Sequence, residues 1–165
     1  MACRGHYYAL DDERRAHILS LSGIDVVSYI HDLYRDLSHR DHQDVDKAWD
    51  AIHRCLTGDS DPEFVHSSAG IYPLNQCVLG GQPLYDGDDY IIMLIEPLAL
   101  RDLVAALEKI DEAWMERAYH ATCKHVFPEY GDEDCGYTVN WFLDMKVFLK
   151  RAAQANRAVV FYADQ

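Results

Sequence analysis

RAVVFYA, Arg157–Ala163, is the segment on which the architecture of this chain turns. It is too short for a helix, is rich in β-branched and aromatic residues, and follows Asn156, which can take a left-handed stop. It therefore reads as a closing strand. At the other end, Cys3–Leu10 (CRGHYYAL) reads as an opening strand rich in Tyr. Between them, Tyr90–Ile95 (YIIMLI) is a continuous apolar run bounded by Asp-rich and Pro signals, the pattern of a strand covered on both faces. Two terminal strands enclosing mainly helical sequence predict an α+β domain. The expected architecture is one domain over residues 1–165, a mixed sheet carrying about five to six helices.

The helices announce themselves by spacing. Asp11 or Asp12 can cap a helix running to about Leu21, and Ser22-Gly23 breaks it. Asp25–Leu37 places Val26, Tyr29, Ile30, Leu33 and Leu37 at helical intervals. In Asp46–Gly58 (DKAWDAIHRCLTG), Ala48, Trp49, Ile52, Cys55 and Leu56 form one face, and Gly58 is a natural stop. Pro97 opens a helix with Leu100, Leu103, Val104, Leu107 and Ile110 on its stripe, and Asp111–Thr122 follows as another. Tyr137–Ala155 is the longest, with Leu143 and Val147 on its back. Ser38–Val45 and Lys124–Gly136 read as connections, and Leu74–Leu79 as a strand ending in Gly80-Gly81.

Composition bounds the functional classes. Twenty-eight acids against fifteen bases give a net charge of -13, and no run of Lys or Arg opposes it. Binding to nucleic acid or to an anionic membrane needs a basic surface, so both are disfavoured. The same field suits a basic protein partner. No apolar run approaches the roughly 18 residues of a membrane span. The N-terminus has no secretory pattern, and five scattered cysteines without a C-x-x-C pair fit a reducing compartment. A cytoplasmic location is the expectation.

CRGHYYAL, DVDKAWDAIHRCLTGD, the LGGQPL of Leu79–Leu84 and the closing FLKRAAQANRAVVFYADQ together resemble the YfbM-like family of small bacterial cytosolic proteins. The resemblance spans essentially the whole chain. It implies a single α+β domain of bacterial origin in a family without an assigned activity, and it supplies no catalytic residues.

Candidate chemistry must then come from the residues. The helical wheel of Asp46–Gly58 puts Asp46, Asp50, His53 and Thr57 along one border beside Trp49. Asp50 can hold His53 for general-base work, or pair with Arg54. Gly80 and Gly81 permit either a tight turn or a close approach to a ligand, and no phosphate-binding glycine motif is present. The candidate ligand-binding set is therefore Asp46, Trp49, Asp50, His53, Thr57, Gly80 and Gly81. His39/His42 and His120/Cys123/His125 lack a recognised zinc spacing, so no metal and no cofactor is assigned. Cys3, Cys55 and Cys77 read as inert, and Cys135 sits among acids that would raise its pKa.

Two readings stand side by side. One is a non-enzymatic binding protein, favoured by the lack of a complete catalytic set, meeting a basic partner through acids and tyrosines drawn from Tyr7, Tyr8, Tyr85, Tyr130 and Tyr137. The other is an enzyme or small-ligand sensor at the Trp49/Asp50/His53 edge. A monomer is expected, or a weak homodimer through Leu143 and Val147.

Overall fold

Alternation of side chains along three strands builds the molecule. The computed structural model describes residues 3–38, 40–126 and 131–164, apart from the His125 side chain. Along β1 (Gly5–Leu10), β4 (Tyr90–Ile95) and β5 (Ala158–Asp164), odd-numbered residues face one core and even-numbered residues the other. Antiparallel registry keeps that parity in step across the sheet, with Tyr7 opposite Phe161 and Ile91 opposite Ala163. Tyr7, Ala9, Ile95, Val159 and Phe161 meet the larger helical layer; Tyr8, Leu10, Ile92, Leu94 and Val160 meet the smaller.

The chain reaches this arrangement in a simple order. β1 leads into α1 (Asp12–Leu19), capped by the Asp11 carboxylate, and α2 (Ile24–Asp36); both helices cover the even face. β2 (His42–Asp46) then pairs with β1 as an edge strand. α3 (Ala48–Thr57) follows, stopped by Gly58 at φ 75°. A 3₁₀ turn, Leu74–Cys77, and a two-residue β3 (Gln82–Pro83) lead into β4. α4 (Pro97–Leu107), α5 (Glu112–Val126) and α6 (Asp132–Gln154) complete the odd-face layer, and β5 returns between β1 and β4. The sheet order is β2-β1-β5-β4-β3. Among the described residues, no helix is long and apolar enough to cross a membrane.

The α+β single-domain expectation is met, with six α-helices among the described residues, and several details change. Every strand pair is antiparallel, so the sheet is not mixed. The reason is topological: β5 enters between two strands that run the same way. Ser38–Val45 conceals β2, whose polar sequence suits an edge strand in which only Val45 is fully buried. Leu74–Leu79 is a helical turn rather than a strand. Its Cys77, Val78 and Leu79 are buried in the odd-face core, and a short apolar run does not distinguish the two forms. α5 extends to Val126, past the expected end at Thr122. α6 begins at Asp132, with Asp132, Glu133 and Asp134 in the first turn where the helix dipole favours them. Cys135 is therefore a buried helical residue, not a loop residue. Tyr7 and Tyr8 are core residues and unavailable to a partner.

Four cysteines (Cys55, Cys77, Cys123 and Cys135) are buried, and all five are free thiols. The Sγ atoms of Cys55 and Cys123 lie 3.7 Å apart. Burial pushes the Cys77 thiol up to about 12.

Close approach governs one glycine. A Cβ on Gly5 would stand 2.9 Å from Trp49 Cδ1 and 3.0 Å from Phe161 Cε2, so α3 could not lie as near to the sheet. Phe161 is the centre of this junction, its ring 5.1 Å from Tyr7 and 5.8 Å from Trp49. Phe161→Ala is predicted to cost about 3–5 kcal/mol, read from the urea unfolding midpoint.

Candidate functional site

α3 carries the polar edge singled out by sequence, but Asp46 does not belong to it. The register between β1 and β2 slips at Gly5/His6, leaving Val45 as the extra residue of a bulge. Asp46 then takes φ 44°, a conformation Asp tolerates better than most residues. Its N–H donates to Asp44 Oδ1 (2.6 Å), and Arg4 Nε lies 3.3 Å from Asp46 Oδ1. Asp46 thus ends a strand, and only Lys47 separates it from α3. Trp49 is buried and its indole N–H donates to the Cys3 carbonyl (3.2 Å).

Asp50 pairs with Arg54, not with His53. The Arg54 Nε–H donates to Asp50 Oδ1 at 2.6 Å, and Nη1–H donates to the Asp61 carbonyl at 2.6 Å. Asp59 Oδ1 is 4.0 Å from the same guanidinium. Arg54 is only 3% exposed, so these contacts offset the desolvation of a full charge. Burial raises the Asp50 carboxyl above its ordinary range, against the lowering effect of Arg54.

His53 is fully buried. Its Nε2 lies 3.0 Å from the His66 carbonyl oxygen, which can only accept, so the proton sits on Nε2. Nδ1 is then the basic nitrogen, and it is buried without a hydrogen-bond partner among the described residues. Burial lowers the His53 pKa, opposed by the His66 carbonyl and by Asp59 and Asp50. Thr57 turns inward on its own helix, its hydroxyl donating to the His53 carbonyl (2.7 Å).

His53, Arg54 and Thr57 act on one segment, residues 58–73. Asp59 accepts the backbone N–H of Asp61 (3.2 Å) and of His66 (2.7 Å). Asp61 accepts from Glu63 N–H and its carboxylate lies 2.9 Å from His66 Nε2. Gly70 (φ 76°) lies so close over Thr57 that a Cβ would be 2.7 Å from Thr57 Cβ. The edge read as a possible catalytic pair is therefore the anchor of a long loop.

Gly80 and Gly81 are explained by backbone proximity. Gly80 N–H donates to the Asn75 carbonyl (2.9 Å), and Gln76 Nε2–H donates to the Gly80 carbonyl (2.5 Å). A Cβ on Gly80 would meet Asn75 O at 2.4 Å, and one on Gly81 would meet Leu94 O at 2.6 Å. Gly81 thus lies against β4, and Gly80 closes the 3₁₀ turn.

Of the two histidine and cysteine groups, His42, His120 and Cys123 are described. His39, Tyr130 and the His125 side chain lie outside the described residues. Cys123 faces the core, its thiol 3.6 Å from the Ala51 carbonyl, whereas His120 is exposed. No three described His, Cys, Asp or Glu side chains are placed to hold a metal ion. His42 instead stacks on His6, with Nδ1 of His6 3.2 Å from Nε2 of His42 and the Tyr34 ring edge-on. Burial lowers the His6 pKa, opposed chiefly by Asp44.

Two features had no linear signature. Arg40, Arg151 and Arg157 come together from three parts of the chain around a cavity of about 480 Å³, although no basic run exists in the sequence. Phe64, Ile71 and Tyr72 stand out from the anchored loop, 64%, 78% and 52% exposed. The loop composition hid them because exposure of apolar residues cannot be read from loop sequence.

Residues 1–162 match the family model described as a domain of unknown function, DUF1877. The chain belongs to this family. Protein YfbM of Escherichia coli (strain K12) is 31% identical over 119 residues, 72% of this chain and 67% of that protein. The crystal structure of YfbM from Escherichia coli, a protein of unknown function, superposes with a TM-score of 0.68. That match has 21% identity and covers 97% of this chain and 99% of the other. This DUF1877 member therefore shares the YfbM fold over nearly its entire length.

Removing the anchor should release the loop. Arg54→Ala is predicted to cost about 3 kcal/mol and to open residues 58–73 to limited proteolysis, because Asp50 and Asp59 lose their counter-charge. For His53 the sign follows from its lowered folded pKa. The unfolded imidazole protonates near 6.5 while the folded one resists, so stability should fall as pH drops from about 7 toward the folded value. His53→Gln is predicted to flatten that slope in pH-dependent urea denaturation, leaving the contribution of His6, whose pKa burial also lowers.

Proposed function

We propose that this chain is a non-enzymatic binding protein that docks a basic protein partner through the loop 58–73. The carrying observation is how Asp50, His53, Arg54 and Asp59 are used. These are the side chains best suited to chemistry, and they hold a loop that presents Phe64, Ile71 and Tyr72 to solvent. Ordering such a loop in advance lowers the entropy cost of binding.

Neighbouring groups suit that role. The Tyr72 hydroxyl donates to Asp102 on α4, and the exposed Leu98 lies one turn earlier on the same helix. Exposed Glu63 and Asp102, with half-buried Asp61, surround the apolar residues with negative charge. An aromatic and aliphatic centre with an acidic rim is the complement of an apolar patch bordered by Lys and Arg. The net charge of -13 would speed the approach of such a partner at low salt.

The test is capture from a lysate of the source cells on immobilised protein. A basic protein should be retained at low salt and released by about 0.5 M salt. Phe64→Ser/Ile71→Ser should weaken its retention at least about tenfold without lowering stability. Equal retention by the double variant, or no salt-sensitive partner, would sink the proposal.

A further inference from the structure

The arginine cavity lies between the turn before β2, the C-terminal turns of α6 and the start of β5. Arg40, Arg151 and Arg157 line it together with Asp41, Gln154, Phe148 and the small residues Ala9, Ala152 and Ala155. Three of fifteen basic residues thus converge in a chain that holds twenty-eight acids. In such a chain an arginine readily finds a carboxylate. Among the described residues, none lies within 4 Å of the Arg40 or Arg151 guanidinium.

The remaining charges do not neutralise the group. Arg151 gives one N–H to the Arg40 carbonyl (2.5 Å) and lies over the Phe148 ring, 5.7 Å from its centroid. Arg157 approaches Asp11 Oδ2 only to 3.9 Å, and that oxygen already accepts from Arg14 Nη1 at 2.5 Å. Asp41 is the one carboxylate among the described lining residues, and it receives the Ser38 hydroxyl at 3.3 Å. Arg40 and Arg151, with no carboxylate within 4 Å among the described residues, gain Coulomb energy from an anion placed between them.

Size and wall chemistry narrow the ligand. About 480 Å³ falls in the range of small-molecule sites and exceeds what inorganic phosphate fills. Guanidinium forks match phosphate oxygens, while the exposed Ala155 adds an apolar contact at the edge of the cavity. We infer that this cavity binds a small phosphate monoester, its dianion among Arg40, Arg151 and Arg157 and its organic group against Ala155. The inference is independent of the docking loop, which lines no part of the cavity.

Phenyl phosphate is the probe, with inorganic phosphate and phenol as controls, followed by calorimetric titration and by amide shifts in NMR. Phenyl phosphate should bind with a Kd below about 1 mM and at least about tenfold tighter than either control. Arg40→Gln, at an exposed position that folding does not require, should weaken it at least about fivefold. Ala155→Trp, which fills the space and leaves the charges in place, should abolish it. Phe64→Ser/Ile71→Ser should bind as the parent does. The inference is overturned if phenyl phosphate gives no response up to about 10 mM, if phenol binds equally, or if Arg40→Gln and Ala155→Trp leave affinity unchanged.

Discussion

β5 is hydrogen-bonded along both of its edges, and the two cores form around that double pairing. It bonds to β1 along one side and to β4 along the other, so the two halves of the sheet are continuous only through it. Its odd residues close the larger core and its even residues the smaller, which makes every helix indirectly dependent on seven residues. The pairings join positions far apart in the chain, such as Tyr7 with Phe161. Contacts of this kind are entropically expensive to close and cooperative once formed.

Against that frame of apolar burial, α3 is unusual. Its inner face is ordinary core, but its side carries a buried arginine, a buried histidine and a half-buried aspartate. Buried ions rarely add stability over apolar replacements of the same shape, so their presence calls for another reason. Here the reason is local: residues 58–73 contain no regular structure before the 3₁₀ turn, and polar contacts from α3 substitute for the missing ladder. One helix thus serves two purposes, sealing the sheet with Trp49 and Ile52 and fixing a loop with His53 and Arg54.

The strongly patterned elements were legible in the sequence. β1, β4, β5 and the helical stripes follow from apolar spacing, because burial on a defined face is what selects those residues. β2 was not legible, since an edge strand satisfies its backbone through β1 and needs little apolar sequence. The choice between His53 and Arg54 as the partner of Asp50 was also hidden. Both lie at suitable helical spacing, and the decision is made by Asp59, Asp61 and His66, which come from the following loop. The arginine cavity was invisible for a similar reason: Arg40 and Arg151 are 111 positions apart.

The buried thiols give the protein a chemical memory of its folding history. In the native state four of the five cysteines are enclosed, and burial keeps thiols such as Cys77 in the protonated, unreactive form. Unfolding returns all five to water at their ordinary acidity, where any pair can be oxidised. Of the possible disulfides, only one between Cys55 and Cys123, whose sulfurs lie 3.7 Å apart, joins thiols already shown in contact in the native core; pairs involving Cys3 or Cys77 have no such neighbour. In an oxidising medium each excursion from the native state would therefore drain molecules irreversibly, and survival would be set by the rate of unfolding rather than by its equilibrium.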